Sequence, residues 1–389
     1  MDFIYFDNSA TTPLCDAAKK AMYEAMECYG NPSSLHGLGQ EAHVLLERAR
    51  RQVAATLGIK GAPSAGQLTF TSCGSEADNL AILGTAYAKP RRRGGRIITT
   101  DSEHPGVENA MAALEKDGFE VIRISTRDGK LDWEQYQNAL SDRTFLVSLM
   151  TVNNETGALY DLSRAFAMAK AKDPSIVTHT DAVQGYLKCR FSPTALHADL
   201  VTVSAHKING PKGVGALYAS PEALKRRDFV PCLLGGGQEA GFRSGTENLI
   251  GIVGFGAAAE EGYKSLNQTV SHLTDLREYA EERLSALPVR LNIPTGKRAP
   301  HILNLTLPDI KSETMLHALS AKGICVSHGS ACSSRSQKVS TALTAFGLSA
   351  DDAASSIRLS FGIQNTREQI DRLTEALTNE INRLVRIHR

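Results

Sequence analysis

Apolar and polar positions in this chain switch repeatedly between two periods. Short β-branched or apolar runs are followed by segments with apolar residues three and four apart, the pattern of strand then helix. The strand runs are Ile4–Phe6, Leu68–Phe70, Arg96–Thr100, Glu120–Ile124, Thr144–Val152, Ile176–Asp181, Leu200–Val203 and Gly215–Tyr218. Helical spacing covers Asp16–Tyr29, with Asp16 as N-cap and Gly30 as stop, then Gln40–Leu57 and the segment opened by Thr71–Glu76. It returns at Gly106–Lys116, Asp132–Leu140 and Leu162–Lys172. Such alternation predicts a mainly parallel α/β sheet with ligands at the carboxyl ends of its strands. Leu234–Asn248 is too rich in glycine for a packed element. One unusually long helix is predicted from Glu247 to about Leu287, weakened near its start by Gly251, Gly254, Gly256 and Gly262. Beyond it, strands at His301–Leu305 and Ile324–Ser327 alternate with helices at Glu313–Lys322 and Arg367–Ile387.

Composition narrows the class without naming a function. A length of 389 residues allows a large core and two domains. Hydrophobic residues at 42% and a net charge of +1 describe a soluble protein with no steering toward nucleic acid or anionic membrane. The one tight basic run, Arg91–Arg93, precedes Gly94-Gly95 and reads as a solvated turn. No apolar stretch is long enough for a membrane span, and the start lacks a signal-peptide pattern, so a cytoplasmic protein is expected. Seven cysteines at scattered spacings are not a disulfide framework.

Several strand ends carry candidate chemistry. Leu200–Val203 has the composition of a strand buried on both faces, and Asn209-Gly210-Pro211 ends it. Lys207 therefore falls at the sheet rim, where a desolvated amine deprotonates more easily and forms Schiff bases. Taken alone, it reads more readily as a surface lysine. About 26 residues earlier, at a strand-plus-crossover spacing, Ile176–Gln184 is a buried-strand run with Asp181 at its end. An acid there keeps a pyridinium nitrogen protonated, and a lysine Schiff base with an Asp partner is the pairing used by pyridoxal phosphate (PLP). Thr71-Ser-Cys-Gly-Ser-Glu76 joins strand to helix through a glycine, either as an anion site or as an ordinary capped helix. His104 precedes Pro105 and either caps a helix or presents a flat ring for stacking. Arg358, on the alternating Ser356–Ser360 run, reads as a carboxylate grip or as a salt-bridged surface arginine. Cys332 sits among Gly, Ser and Ala, unlike Cys325 in its apolar run, and would act as a nucleophile only as the thiolate. Cys325, His328 and Cys332 also form a fragment of a zinc-type spacing, with no second half elsewhere.

From Tyr5-Phe-Asp-Asn-Ser-Ala-Thr-Thr12 to Ser356-Ile-Arg-Leu-Ser-Phe-Gly362, these motifs in this order resemble the class V aminotransferase-type PLP enzymes. Within them the chain is similar to the cysteine desulfurases of the NifS/IscS kind. The resemblance implies a PLP-dependent transferase fold, aspartate aminotransferase-like. Its large domain, residues 16–257, would hold a mainly parallel sheet. A smaller α+β domain, residues 1–15 and 258–389, would carry a mobile cysteine loop. By the same resemblance Gly74, Ser75, Ser204 and His206 hold the PLP phosphate, while His104 stacks on the ring and shares in catalysis. Asn154 meets the phenolic oxygen and borders the substrate, Gln184 supports the ring, and Asp181 faces its nitrogen. Lys207 carries the Schiff base and moves the α-proton, Arg358 binds the substrate carboxylate, and Cys332 takes the sulfur as a persulfide. Thr246, in the anion grip Arg243–Thr246, is expected on a neighbouring subunit's phosphate, which implies a homodimer. His328 is a departure, standing where many relatives have serine. The implied reaction converts L-cysteine to L-alanine and passes sulfur to an acceptor such as an iron–sulfur scaffold or sulfur carrier. Selenocysteine lyase or another class V activity is the alternative. A non-catalytic binding protein is a further one, against which intact Lys207, Asp181, His104 and Arg358 argue. No metal, nucleic acid or membrane partner is expected.

Overall fold

In a computed structural model, which describes residues 3–61, 63–64, 66–328 and 340–387, the strands follow the apolar runs closely. They are β1 (Ile4–Tyr5), β2 (Leu68–Thr71), β3 (Arg96–Thr100), β4 (Glu120–Ile124), β5 (Thr144–Ser148), β6 (Ala158–Leu159) and β7 (Val177–Asp181). After these come β8 (Leu200–Ser204), β9 (Gly215–Ala219), β10 (Arg290–Leu291), β11 (Lys297–Arg298), β12 (Ile302–Thr306), β13 (Ile324–Cys325) and β14 (Ser356–Ser360). Seven of them form one sheet in the order β2-β9-β8-β7-β5-β3-β4. Pairing is parallel from β4 through β3, β5 and β7 to β8, then antiparallel through β9 to β2. Every residue of β5, β7, β8 and β9 is buried, as expected of strands covered by helices on both faces.

A second sheet, β10-β12-β14, is antiparallel and draws in the N-terminus through an Asp7–Ser360 bridge. Ile4, Phe6, Leu303, Leu305, Ile357, Leu359, Leu373 and Leu377 form its core. That cluster is separate from the one built on Ile98, Val147, Val201 and Val203 of the large sheet. Residues near both ends of the chain thus share one small core.

Four expectations need correction. The first helix spans Asp16–Met26, short of Tyr29, and its N-cap is Cys15, whose sulfur accepts from the Ala18 amide at 3.4 Å. Strand β5 ends at Ser148, although the Leu149 and Thr151 amides still donate to the His179 and Asp181 carbonyls at 3.1 and 2.9 Å. Beyond them Asn153 builds a turn, its Oδ1 accepting from the amides of Glu155 and Thr156 at 3.0 and 2.9 Å. The long helix is two, Leu249–Lys264 and Leu266–Ser285. Ser265 separates them, its hydroxyl bonding back to the Glu261 carbonyl at 3.1 Å, a contact that bends helices. The first of the two runs unbroken through its glycines. They let it approach its neighbours, since a Cβ on Gly256 would lie 2.8 Å from the Ala49 Cα. Finally, Arg92 of the basic run is buried, not solvated. Its guanidinium donates to the carbonyls of Thr85 and Asp228, each at 2.7 Å, and to the Asp228 carboxylate at 2.8 Å.

The glycine-rich stretch is pinned from one side. Glu239, at φ 51°, reaches into the core and accepts from both Arg50 terminal nitrogens at 2.6 and 2.8 Å, and from the Phe70 amide at 2.8 Å. Replacing Glu239 with glutamine removes the buried carboxylate of this guanidinium and leaves it only the partly exposed Glu47, 2.9 Å from Nε. The expected cost is about 3–5 kcal/mol of stability, read as a lower urea midpoint at unchanged slope. An unmoved midpoint would show that the pair contributes nothing. No described helix is long and apolar enough to cross a membrane.

Candidate active site

Three parallel strands, β3, β5 and β7, point their carboxyl ends into one cleft, and β8 delivers Lys207 just past its own end. Gly74, Ser75, His104, Asn154, Asp181, Gln184, Ser204, His206, Lys207 and Arg358 all line it, as do Ser9, Ala10 and Asp78. Of the expected site residues, two are not in this group. Cys332 lies outside the described residues. Thr246 is exposed and borders different clefts, one of them with Cys28–Pro32.

At one end the cleft is suited to an anion. The helix Gly74–Tyr87 begins here, and its N-cap residue Cys73 makes no side-chain capping bond, so the first amides are left to another acceptor. A Cβ on Gly74 would lie 2.8 Å from Val183 Cγ2, so only glycine lets that backbone come so close. The Ser204 hydroxyl is buried and has no hydrogen-bond partner among the described residues. Glu76 turns away from this point. It accepts from the Ser72 amide and from Arg243, each at 2.8 Å, which lowers its pKa although burial by itself would raise it.

At the other end the groups are protonic. Asp181 is buried at the tip of β7 and accepts from the Val183 amide at 2.9 Å. Burial raises its pKa, opposed by the nearby His104 and Lys207. A protonated ring nitrogen facing it would oppose burial further, so the acid suits such a partner. His104 caps its helix, Nδ1 accepting from the Gly106 amide at 3.1 Å, and it also borders the cleft. Burial holds its pKa down. His206 is pushed down to about 4, chiefly by burial and then by neighbouring lysines, and its Nδ1 lies 3.2 Å from the Thr11 hydroxyl. At neutral pH its imidazole is uncharged and keeps one N–H to donate. Lys207 donates to the carbonyls of Ser9 and Ala10 at 2.5 and 2.8 Å. Gln184 reaches the same segment, donating to the Ser9 carbonyl at 2.9 Å.

Arg358 comes from the small sheet and closes the cleft. It is buried, with Nη2 on the Asp7 carboxylate at 2.7 Å and Nη1 on the Asn154 carbonyl at 2.8 Å. Its Nε has no hydrogen-bond partner among the described residues. The guanidinium is paired with a carboxylate of the chain itself through one nitrogen, and it is not a surface arginine. Beside it, β14 and the segment leading to Cys332 exchange hydrogen bonds. The Arg358 amide donates to the Ser327 carbonyl at 2.7 Å, and the Ser327 amide returns one at 3.2 Å. On the far side of that segment, Ser340 donates to Glu155 at 2.6 Å, next to Asn154.

Sequence reading missed the buried titratable groups around the cleft. Glu103 is pushed up to about 8 by burial, although it accepts from Thr100 and from the Met150 amide. Lys188 is pushed down to about 7, chiefly by burial, and its Nζ has no hydrogen-bond partner among the described residues. Asp78 is buried at the cleft wall. A single sequence carries no signal for these, because an acid or lysine in a helix or turn is normally exposed.

Residues 4–373 match the aminotransferase class-V family. A cysteine desulfurase of Nostoc sp. is 39% identical to this chain over 99% of its length and 94% of the relative's. Among solved structures, a NifS-like protein superposes with a TM-score of 0.89 at 34% identity, covering 99% of this chain and all of the other. Another, described as SspA in complex with cysteine, gives a TM-score of 0.77 at 31% identity over 92% of this chain and 98% of that one.

Proposed function

The chain belongs to the aminotransferase class-V family and, within it, to the cysteine desulfurases, and from that premise we propose how its cleft works. The observation that carries the proposal is that Lys207, Asp181, His104 and Arg358 come from four separate segments and line one cavity. PLP fits the residues present. Ser204, Ser75, Gly74 and His206 would hold its phosphate, and Asp181 its ring nitrogen. His104 would lie against the ring, with Asn154 and Gln184 toward its phenolic oxygen. When bound, PLP supplies an electron sink for bonds broken next to the substrate's α-carbon.

The chain's own residues do the rest. Arg358 and the Asn154 edge orient the carboxylate of L-cysteine. Lys207 Nζ, held at the cleft by the Ser9 and Ala10 carbonyls, moves the α-proton, and Asp181 keeps a proton on the ring nitrogen. Cys332 then forms an S–S bond to the substrate sulfur while the substrate's C–S bond breaks. The electron pair of that bond stays with the carbon fragment, which takes up a proton and leaves as alanine. The persulfide passes to an acceptor thiol, on an iron–sulfur scaffold or a sulfur carrier, and a reducing cytoplasm suits such a thiol. Five positions separate Ser327 from Cys332, a reach of at most about 17 Å from a residue bonded to the Arg358 backbone.

A two-domain division at 16–257 against 1–15 with 258–389 accords with this use of a mobile cysteine segment. A homodimer accords with the surface. Tyr29, a large apolar side chain exposed by 81%, borders the same cleft as Thr246, within Cys28–Pro32. A second copy covering that face would bring Thr246 to the other copy's phosphate.

The direct test is alanine release from L-cysteine by PLP-loaded protein, with and without an acceptor thiol protein. A visible absorption band that shifts on adding L-cysteine is expected, and colourless protein after PLP addition would overturn the reading. Arg358→Lys keeps the charge but loses the planar fork. KM for L-cysteine is expected to rise roughly tenfold to a hundredfold, with a smaller change in kcat. An unchanged KM would remove Arg358 from the substrate site.

A further inference from the structure

A second carboxyl stands beside Asp181. In a strand, alternate side chains share a face, so His179 and Asp181 of β7 point the same way. In register, Thr202 of β8 lies opposite Asp181. The helix Gly74–Tyr87 packs over these strands and brings Asp78 to them, fully buried on the wall of the same cleft. Thr202 hydrogen-bonds the Asp78 carboxyl. His179 Nε2 lies 3.1 Å from the Thr202 hydroxyl, and His179 Nδ1 lies 2.8 Å from that of Ser148.

Two buried carboxylates facing one small cleft repel each other, and burial penalises each charge separately. The surroundings decide which one keeps the charge. Asp181 faces His104 and Lys207. Asp78 faces Asp181, Glu103 and Cys73, and its Oδ1 has no hydrogen-bond partner among the described residues. The basic group nearest to it is His179, 3.7 Å away, and burial pushes that imidazole down to about 3, so it is neutral. The hydrogen bonds can then run in one direction with every member uncharged. Asp78 O–H donates to Thr202, Thr202 O–H to His179 Nε2, and His179 Nδ1–H to Ser148.

We propose that Asp78 is a positioning residue that stays protonated beside Asp181, giving its proton to Thr202, so that the single carboxylate charge of the cleft rests on Asp181. If Asp78 held the charge instead, Asp181 would keep its proton and could not accept one from a ring N–H. The functional consequence rests on the PLP reading above, but the protonation itself does not.

Infrared difference spectra of wild type minus Asp78→Asn, on cofactor-free and PLP-loaded protein, test this. The amide matches the acid in shape, and the other buried acids, Glu103 and Glu155, cancel in the difference. Loss of a protonated-carboxyl C=O band is expected at neutral pH in both preparations. In Thr202→Val that band should move to higher frequency, because its hydrogen bond is gone. That second variant decides the matter if Asp78→Asn does not fold. Loss of carboxylate bands instead, or an unmoved band in Thr202→Val, would overturn the proposal. Failure of the desulfurase reading would show as absent alanine release with these bands as expected, so the two failures are separable.

Discussion

Lys207→Ala lowers L-cysteine turnover by at least ~10²–10⁴-fold, the range associated with one positioned acid–base group. The loss should exceed that if the amine also forms the covalent link to the cofactor. Folding should survive, since Lys207 is only partly buried and the variant loses two hydrogen bonds to the Ser9 and Ala10 carbonyls. Those carbonyls lie beside the cleft and can take water in place of the amine. The measurements are alanine release and the visible spectrum after PLP addition. Turnover within a few-fold of wild type would remove Lys207 from the mechanism. Lys207→Arg is not a rescue, because a guanidinium does not give up its proton near neutral pH.

Cys332→Ala is the other large effect. Alanine formation from L-cysteine and sulfur transfer to an acceptor should fall by roughly 10³-fold or more, as for removal of an attacking nucleophile. The band shift on adding L-cysteine should persist, because Arg358, Asp181 and Lys207 remain. That split separates sulfur capture from substrate binding, which no variant of the cleft itself can do. Unchanged cysteine turnover would refute the role given to this thiol. Loss of cysteine turnover with continued cleavage of selenocysteine would be compatible with either activity.

The reach of sequence reading differs from residue to residue for physical reasons. Lys207 and Asp181 were legible because each follows a run of β-branched residues, and strand ends in a parallel sheet converge by geometry. His104, before Pro105, was legible as a cap or a stacking ring, and the fold uses the same residue for the cap and the cleft wall. The split of the long helical run at Ser265 was not legible, since serine is tolerated inside helices and only its back-bond to Glu261 marks the bend. Arg92 and Arg50 look like surface charges in the sequence, yet each is buried against a carboxylate contributed from more than a hundred positions away.

Strand and helix periods, the glycine at the cleft-facing helix start and the order of motifs were fixed by neighbouring residues, so the sequence by itself determined the layered α/β plan and the residue types of the cleft. Burial was not fixed in that way. How far burial raises the Asp78 and Glu103 carboxyls, and whether Arg358 meets Asp7, depend on which elements stack above each group. Only the tertiary structure decided those, because desolvation and Coulomb interactions act through space and take no account of distance along the chain.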